Sequence, residues 1–530
     1  MFLNRCFYKK LISFLLSLTL IFSFITLGGC MEENFSLYFG IDSMPNNIDP
    51  QKASTHAEHI AVRNCFRGLY KFDTSGDTVP DLAESITISD DGLTYTFRIK
   101  SSKWKDGTPV TADDFVFAVQ RASDPATASP SYNLLTVISG VDAKSNDDIN
   151  AVISVKAEDT NTITYTLSKP NKNFTALLAQ SVFMPCNREF FENCKGKYGL
   201  NCQNILTNGA YYPSQWLENR HLKLTLSQST DSDILYAENI YLTVSASGKN
   251  NITRIKDKEI GMTADNTNDF SGVDTNAFTV KSFYQKNYVL VFNKNTDIGK
   301  NTALTDAFAK AIHHELYVLK MSERFKRADT VLPSDSMLFN KSVGNFEQYK
   351  HTLDYDSQSA RNDFLESLKQ FKNKKLPEIK VFTVDNPEIK IILNEVVSQW
   401  QSTLGAYVNI TTVSNDEKLL QTVKDNDFTV ALLPLSGNAV DILARFADAD
   451  SGAYLHNEQY DGYVKSLLAT DNSQTAKQLI EQCLEILSSD SAVIPLVTVP
   501  TAYIYDSKYN NVVFSQVDGT VDFSIIFKEK

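Results

Sequence analysis

The sequence predicts an α/β protein of more than one domain, and three features of its 530 residues carry this prediction. In the C-terminal half, apolar residues at strand spacing alternate with apolar residues at helical spacing. Hydrophobic residues make up 42% of the chain, enough for more core than one domain usually organises. The sequence after residue 35 has no Pro-rich linker or internal repeat, so we expect domains joined by chain crossings within one body.

The N-terminus has the layout of a secretory signal. Arg5, Lys9 and Lys10 precede an apolar run from Leu11 to Leu27. The run ends in the letters LGGC, which resemble a bacterial lipobox with Cys30 as the lipidated residue. We therefore expect export, cleavage before Cys30 and lipid attachment to it.

Two outcomes of this N-terminal signal are open. In the first, residues 1–29 are a signal peptide and residues 30–34 form a lipidated tether. In the second, the apolar run stays as a transmembrane anchor, since about 20 apolar residues cross a bilayer. Both outcomes place residues 31–530 on the extracytoplasmic face of a bacterial cell membrane.

The charge balance is acidic. The chain carries 51 Lys and Arg against 63 Asp and Glu, a formal net charge of −12. Three of the cations precede Cys30, so the exported part is more acidic still. This balance argues against nucleic acid as a partner and against electrostatic adhesion to anionic lipid.

Five cysteines follow Cys30 and show no zinc-ligand spacing. An odd number leaves at least one thiol unpaired in an oxidising compartment. We expect buried thiols, one disulfide at most, and no metal. The five are Cys65, Cys186, Cys194, Cys202 and Cys483.

A hairpin and a helix are predicted in the first third of the chain. Ile86 and Ile88 alternate with polar residues, the letters SDDG predict a turn, and residues 93–99 alternate again. Thr111 can cap a helix whose apolar face continues from Phe115, and Pro125 ends it.

The C-terminal half reads as strand, helix, strand, helix, strand, which predicts a parallel sheet with right-handed crossovers. The five segments are 379–384, 389–400, 408–410, 419–423 and 428–433.

The loop after the last of these strands is a candidate binding site. Ligands of open α/β sheets gather outside the carboxyl ends of strands. The alternative is an ordinary connection from strand to helix. The candidate residues are Leu435, Ser436, Gly437 and Asn438.

Catalytic motifs are absent from the sequence: it has no GxSxG, HExxH or P-loop pattern. His313 and His314 precede Glu315 on a predicted helix capped by Thr305, where adjacent side chains point about 100° apart and cannot chelate one ion. We expect surface or structural histidines, no catalytic residue, no cofactor and no metal.

Four motifs, in this order, give the chain a family resemblance. They are NIDPQ (47–51), CFRGLY (65–70), VPDLAES with DDGLTYTF (79–97) and WKDGTPVTADDF (104–115). The set resembles family 5 of the bacterial extracellular solute-binding proteins, the oligopeptide-binding lipoproteins of ABC importers. Weaker echoes, such as TNGAY at 207–211, extend the resemblance over nearly the whole exported chain.

The resemblance implies a periplasmic-binding-protein-like fold of cluster C, with two α/β lobes around a cleft and an extra α+β domain. Lobe I would comprise residues 35–69, 168–289 and 500–530. The extra domain would span 70–167, and lobe II 290–499.

The implied function is capture of a peptide ligand by closure of the lobes and delivery to an ABC permease and its ATPases, with a lipid anchor at the membrane. The resemblance also places pocket residues at Ser54, Thr55, His56 and Tyr132.

One segment departs from the family pattern. Peptide binders of the family commonly hold the ligand's amino terminus with an aspartate in a W-ADY motif, but residues 431–440 read ALLPLSGNAV, without an acid. A buried ammonium without a counter-charge costs several kcal/mol. Asp441 could substitute, or the ligand could be held by main-chain hydrogen bonds.

The departure keeps other functions open. The same fold could receive a metal chelate, an oligosaccharide or a modified peptide. Two further classes are a surface lipoprotein used for sensing or adhesion and a secreted hydrolase.

Overall fold

Two large hydrophobic cores organise the chain. The first, which we call the first lobe, combines residues between Leu37 and Met262 with residues between Tyr503 and Ile526. The second lobe lies between Tyr288 and Val499. The computed structural model describes residues 35–73, 77–142, 152–227, 235–265, 272–321, 324–338, 341–342, 346, 349–350, 353–414, 416–425, 428–448, 451–470, 472–514 and 520–528.

The N-terminal half supplies most of the first lobe. Its strands are β1 (Phe35–Gly40), β2 (Tyr70–Phe72), β3 (Thr78–Pro80), β4 (Ala83–Ile88), β5 (Thr94–Ile99), β6 (Val155–Asp159), β7 (Thr162–Thr166), β8 (Tyr211–Leu217), β9 (His221–Leu226), β10 (Leu235–Thr243) and β11 (Met262–Asp265). Its helices are α1 (His56–Cys65), α2 (Ala112–Ala122), α3 (Tyr132–Leu135), α4 (Phe174–Leu177), α5 (Arg188–Asn193) and α6 (Asn251–Lys256).

The C-terminal half supplies the second lobe and returns to the first. Its strands are β12 (Phe278–Phe292), β13 (Lys326–Arg327), β14 (Met337–Leu338), β15 (Lys341–Ser342), β16 (Ile379–Val384), β17 (Val408–Val413), β18 (Val430–Ser436), β19 (Val493–Asp506), β20 (Tyr509–Asn510), β21 (Val513–Phe514), β22 (Val521–Asp522) and β23 (Phe527–Lys528). Its helices are α7 (Thr302–Lys310), α8 (His314–Val318), α9 (Ser357–Ser367), α10 (Pro387–Leu404), α11 (Asp416–Lys424), α12 (Ala439–Ala444), α13 (Glu458–Ala469) and α14 (Ser473–Ser489). Short 3₁₀ turns span Pro125–Thr127, Ser181–Phe183, Leu368–Gln370 and Lys372–Lys374.

One sheet runs through both lobes. Among the described residues its central order is β17-β16-β18-β12-β19-β11-β1-β10. The long strands β12 and β19 pair antiparallel, with residues 278–284 opposite 500–506 in the first lobe and 286–291 opposite 493–499 in the second. These two strands are therefore the crossing between the lobes.

The region from Tyr70 to Leu167 contributes a separate four-stranded sheet, in the order β4-β5-β7-β6. Helix α2 packs on it, and its Phe115 side chain is fully buried. Tyr95 and Phe97 of β5 nevertheless belong to the same continuous core as the first lobe. The assignment of residues 70–167 as a domain of its own stays a prediction.

Several predicted elements are confirmed. Strands β4 and β5 form the expected hairpin, and α2 begins after Thr111 with a reciprocal capping box to Asp114. Strand β16 pairs parallel with both β17 and β18. The signal peptide, the tether and Cys30 lie outside the described residues.

The predicted helix around His313 is wrong in its cap and in its length. Asn301, not Thr305, caps α7, because its side chain accepts a hydrogen bond from Leu304 N. Thr305 is buried and its hydroxyl bonds with that of Ser491. Helix α7 ends at Lys310, and His313 occupies the break before α8, so His313 and His314 do not share one continuous helix with the apolar residues before them.

Candidate functional site

The carboxyl ends of the parallel strands in the two lobes converge on one segment of β12. In the first lobe, Asp265 ends β11 opposite Ala502 of β19, which is itself opposite Ser282. In the second lobe, Ser436 ends β18 opposite Lys286. The two sets of strand ends are thus four residues apart along β12, about 13 Å at 3.3 Å per residue. This is where ligands of open α/β sheets bind.

We call residues 282–286 the hinge segment. The pairing of β12 with β19 shifts register between Tyr284 and Lys286, which leaves Gln285 as a bulge. A bulge bends its strand and locally ends regular pairing. The hinge segment therefore joins the two halves of the sheet through a point of irregular pairing.

Asp335 holds this bulge. Its carboxylate accepts a hydrogen bond from Tyr284 N at 2.6 Å, and its own backbone N–H donates to Tyr284 O at 3.1 Å. The Lys326 ammonium lies 3.6 Å from the centre of the Tyr284 ring. The second lobe thus places one acid and one cation against the hinge.

A charge pair marks the second-lobe edge of the cleft. Lys286 Nζ lies 2.7 Å from Asp416 Oδ2, and both side chains are about one-third exposed, at 34% and 33%. Asp416 begins α11, the helix that follows β17 and packs back on β18 and β16. Neither residue was among the predicted site residues. Asp416 follows a predicted strand, so the tendency of ligands to bind at the carboxyl ends of strands could have identified it. Lys286 could be identified only from the pairing register of β12 with β18.

Burial and charge act in opposite directions on Lys286. Burial works to lower its pKa, but Tyr288 and the Asp416 carboxylate outweigh that effect, and the pKa is raised. Tyr288 lies two residues along β12 and is itself buried, and burial raises its pKa to about 12. At neutral pH Lys286 is therefore a charged ammonium and Tyr288 a neutral phenol.

The four predicted residues after β18 are not all in a loop. Leu435 and Ser436 belong to β18, and of these two only Ser436 is exposed. Gly437 makes the turn with φ 110°, in a region open mainly to glycine. Asn438 is buried and caps α12, since its Oδ1 accepts from Asp441 N at 2.9 Å. Ser436 is thus the member of this set that presents a side chain to solvent.

Asp441 sits in the first turn of α12, just beyond this edge. Burial raises its pKa to about 6, against the opposing influence of the Arg445 guanidinium and of a hydrogen bond from the Asn438 amide. Burial also lowers the pKa of Arg445. Asp441 therefore already faces a cation and a donor from its own chain.

Ser54 and Thr55 are occupied by scaffold contacts. Thr55 caps α1 in a reciprocal capping box with Glu58. Ser54 donates to the Glu58 carboxylate from its N–H at 2.8 Å and from its hydroxyl at 3.2 Å. His56 is exposed on the first turn of α1. The buried Glu58 carboxylate therefore accepts hydrogen bonds from both Ser54 and Thr55.

Tyr132 is half-buried on α3, and its hydroxyl donates to Val141 O at 3.0 Å. This contact ties Tyr132 to its own segment. The hydrogen bonds given above for Ser54, Tyr132 and Asn438 each join the residue to a neighbour within ten positions of the sequence.

The first-lobe edge carries a polar network that the sequence did not reveal. Arg254, buried on α6, donates to Thr243 O at 3.0 Å and to Asn251 Oδ1 at 2.9 Å. Asn251 in turn donates to Asp42 Oδ1 at 3.0 Å. Thr243 ends β10 and Asp42 follows β1, so the exposed Asp42 carboxylate stands at the same edge of the first-lobe sheet as the strand ends.

The lobes also touch away from the crossing strands. The backbone N–H of Lys172 donates to Leu468 O on α13 at 3.3 Å.

A separate cavity of about 250 Å³ lies in the second lobe, beyond the end of β12 at Phe292. Lys294 and Asp490 are among its lining residues.

Within the described ranges, groups of three or more His, Cys, Asp or Glu that could hold a metal are absent. The five cysteines there are free thiols. None of the helices described combines the length and apolar character needed to cross a bilayer.

Known proteins resemble this chain over most of its length. A family model described as bacterial extracellular solute-binding proteins, family 5 Middle, matches residues 77–453. The dipeptide-binding protein DppE of Bacillus subtilis is 24% identical over 506 residues, which cover 92% of this chain and 90% of DppE. The periplasmic oligopeptide-binding protein OppA of Salmonella typhimurium is 26% identical over 489 residues, covering 85% and 84%.

Solved structures show the same fold. OppA of Listeria monocytogenes bound to peptide superposes with a TM-score of 0.72 at 22% identity, over 94% of this chain and 100% of that one. The murein tripeptide binding protein MppA of Escherichia coli gives 0.72 at 21% identity, over 94% and 99%. These likenesses confirm the predicted fold class, a periplasmic-binding-protein-like α/β fold.

Proposed function

Since the chain belongs to family 5 of the bacterial extracellular solute-binding proteins, we propose that it captures oligopeptides outside the cytoplasm and delivers them to an ABC importer. The relatives named for dipeptides and oligopeptides support peptides as the ligand class.

One observation carries this proposal: the strand ends of both lobes face a common hinge segment. A ligand placed there contacts Ser436 of the second lobe and the Asp42 edge of the first lobe at once. Binding energy from both faces then favours the closed form over the open one. Rotation about the bulge at Gln285 supplies the closing movement.

The proposed action is capture without conversion. The groups near the hinge segment are engaged in pairs, Lys286 with Asp416 and Asp441 with Arg445. A general base needs a free lone pair within reach of a substrate proton, and a nucleophile needs an adjacent base. We therefore infer that these residues shape the ligand site and do not act as a base or nucleophile.

We further propose that lipid on Cys30 holds the protein at the outer face of the cell membrane. The cation-apolar-LGGC pattern of the first 30 residues supports this anchor. The closed form would then dock on a permease whose cytoplasmic ATPases drive import. Residues 35–69, 168–289 and 500–530 would move as lobe I and residues 290–499 as lobe II, with 70–167 carried on lobe I.

The pocket would draw on the loops after α2 and before α1 as well as on the hinge. Ser54, Thr55, His56 and Tyr132 remain proposed pocket residues through their position in the family motifs, and Ser436 and Gly437 through the carboxyl end of β18. Leu435 and Asn438 would act through the backbone, because their side chains are buried.

Titration calorimetry tests the ligand class. The full exported chain is titrated with pools of unmodified peptides of fixed length, and in parallel with an oligosaccharide mixture and with an iron chelate. We expect saturable heat from at least one peptide pool and a smaller radius of gyration in solution scattering when that pool is present. Heat from the chelate or sugar alone would contradict the peptide proposal and favour another solute of the same fold. Product formation from the peptides would instead indicate a hydrolase.

A further inference from the structure

Lys286 and Asp416 come from distant parts of the chain yet meet at the second-lobe edge of the cleft. Lys286 belongs to the hinge segment, and Asp416 follows the β17 strand end. Their 2.7 Å contact lies next to Ser436, because Ser436 pairs with Lys286 across the sheet. The pair is thus placed where the proposed ligand would pass.

The exposure of the pair gives it access to a ligand. Each side chain is about one-third exposed, so neither is sealed in the core nor fully hydrated. A charge in such a setting acts on a bound ligand more strongly than a surface charge would. Whether this edge attracts an ammonium, a carboxylate or neither therefore depends on how the two charges balance.

Neighbouring charges at the same edge are balanced too. The Tyr284 ring faces Lys326 while the Tyr284 backbone faces Asp335. Asp441 on α12 is opposed by Arg445. At this edge Ser436 therefore presents an exposed hydroxyl to a ligand, while Arg445 is opposed by Asp441 and the Lys326 ammonium lies against the Tyr284 ring.

We propose that Lys286 and Asp416 are specificity-determining residues that keep the second-lobe edge electrically neutral, so that this edge accepts peptides without requiring a free charged terminus. This inference rests on the proposed function and names which peptides the site takes: those with blocked ends, and internal segments of longer chains, as well as free ones. Each residue cancels the charge that its partner would otherwise present to the ligand.

Removal of either partner should convert the neutral edge into a charged one. In Lys286→Gln the Asp416 carboxylate keeps its Tyr288 contact but loses its counter-charge, so it attracts a ligand ammonium. In Asp416→Asn the Lys286 ammonium is unpaired and attracts a ligand carboxylate. The double variant removes both charges and is neutral again, like the native protein.

The test uses the tightest-binding peptide from the calorimetric pools, synthesised with free ends, N-acetylated, C-amidated and with both blocks. For the native chain we expect the four Kd values to agree within about threefold. Lys286→Gln should favour the free amine over the N-acetylated form by about tenfold or more, and Asp416→Asn should favour the free carboxylate over the amide equally. For the double variant, the four Kd values should again agree within about threefold, as in the native protein.

A matched pair far from the cleft serves as control. Lys294 and Asp490 form a similar contact of 2.5 Å beyond the other end of β12, so Lys294→Gln and Asp490→Asn should leave the four-peptide ratios unchanged. If a single variant at 286 or 416 unfolds, the exchange Lys286→Asp with Asp416→Lys keeps a pair in place and should bind with native ratios.

The outcomes separate this inference from the proposed function. A native protein that prefers free over blocked ends by tenfold or more overturns the neutral edge while leaving peptide capture intact. So does a folded single variant that gains no preference. Absence of binding by all four forms overturns peptide capture, and the inference with it.

Discussion

Arg121 of α2 and Asp49 of the segment before α1 form a buried two-point ion pair. The guanidinium Nη1 lies 2.8 Å from Asp49 Oδ2 and Nη2 lies 2.5 Å from Oδ1, with both side chains more than 90% buried. The rings of Phe191 and Tyr198 lie within cation-π range of the same guanidinium. The pair therefore fixes the helix of the four-stranded unit onto the first lobe.

Asp49→Asn should lower the free energy of unfolding by about 3–5 kcal/mol, because it leaves the Arg121 charge buried and unpaired. Urea denaturation followed by circular dichroism measures this loss. The exposed pair Arg98–Glu84 is the control, since its side chains are 63% and 54% exposed. Glu84→Gln should change stability by about 1 kcal/mol or less. Equal effects at the two pairs would contradict the structural role of Asp49.

Asp441 should make stability fall as the pH rises from about 4 to about 6. Burial raises its pKa from 3.8 to about 6, so the folded state holds the proton more tightly than the unfolded state within this window. Above pH 6 the carboxylate is charged in both the folded and the unfolded state, and the folded state bears the full free-energy cost of burying that charge. We expect a loss of about 1–2 kcal/mol, since the side chain is only half-buried.

Asp441→Asn should reduce this limb of the pH profile, as measured by urea midpoints at several pH values, while Asp114, whose pKa burial also raises, supplies a remainder. Glu485→Gln, which changes an exposed acid of α14, should leave the limb in place. A limb that persists at full size in Asp441→Asn would show that another group causes it.

Gly437→Ala should destabilise the protein by about 1–3 kcal/mol, because the turn at φ 110° is strained for any residue with a Cβ. A Cβ there meets no other atom within 4 Å, so the loss would be conformational rather than steric. Gly462→Ala is the matched control: it lies inside α13, also in open space, and should stabilise by about 0.5–1 kcal/mol. Thermal unfolding of both variants measures whether Tm falls for Gly437→Ala and rises for Gly462→Ala, as expected.

The thiols should differ in reactivity according to burial. Burial raises the pKa of Cys186 and of Cys483 to about 12, which suppresses their thiolates at neutral pH. Cys202 is half-buried, so iodoacetamide at pH 8 should label it well before Cys65, Cys186 or Cys483. Peptide mass spectrometry of the native and urea-unfolded protein gives the order. Rapid native labelling of Cys483 would contradict the described core.

Local signals predicted much of the fold. The alternation before and after the SDDG turn gave the β4–β5 hairpin, and the Thr111 and Asp114 pair gave the start of α2, because both depend on neighbours within a few residues. The parallel sheet β16 to β18 followed from the spacing of strands and helices. Such features depend only on residues close together in the sequence, so the sequence alone predicts them.

Features that depend on register were not predictable in the same way. The predicted strand 428–433 stops before Pro434, yet Pro434 lies inside β18 opposite Tyr288. The pairing of β18 with β16 extends only to Ala431, so a missing N–H at Pro434 costs no hydrogen bond on that side. Lys286 and Asp416 are 130 positions apart in the sequence. Their contact depends on how the strands assemble, so local sequence patterns could not predict it.

The placement of β19 decides when this protein can complete its structure. In the sheet β19 lies between β12 and β11, so it joins the halves while coming almost last in the chain. During synthesis, β11 of the first lobe lacks its neighbour β19 until residues 493–506 have left the ribosome, and forming contacts between residues far apart in the sequence is slow. The two halves of the sheet therefore stay unjoined by β19 until nearly the whole chain has been made.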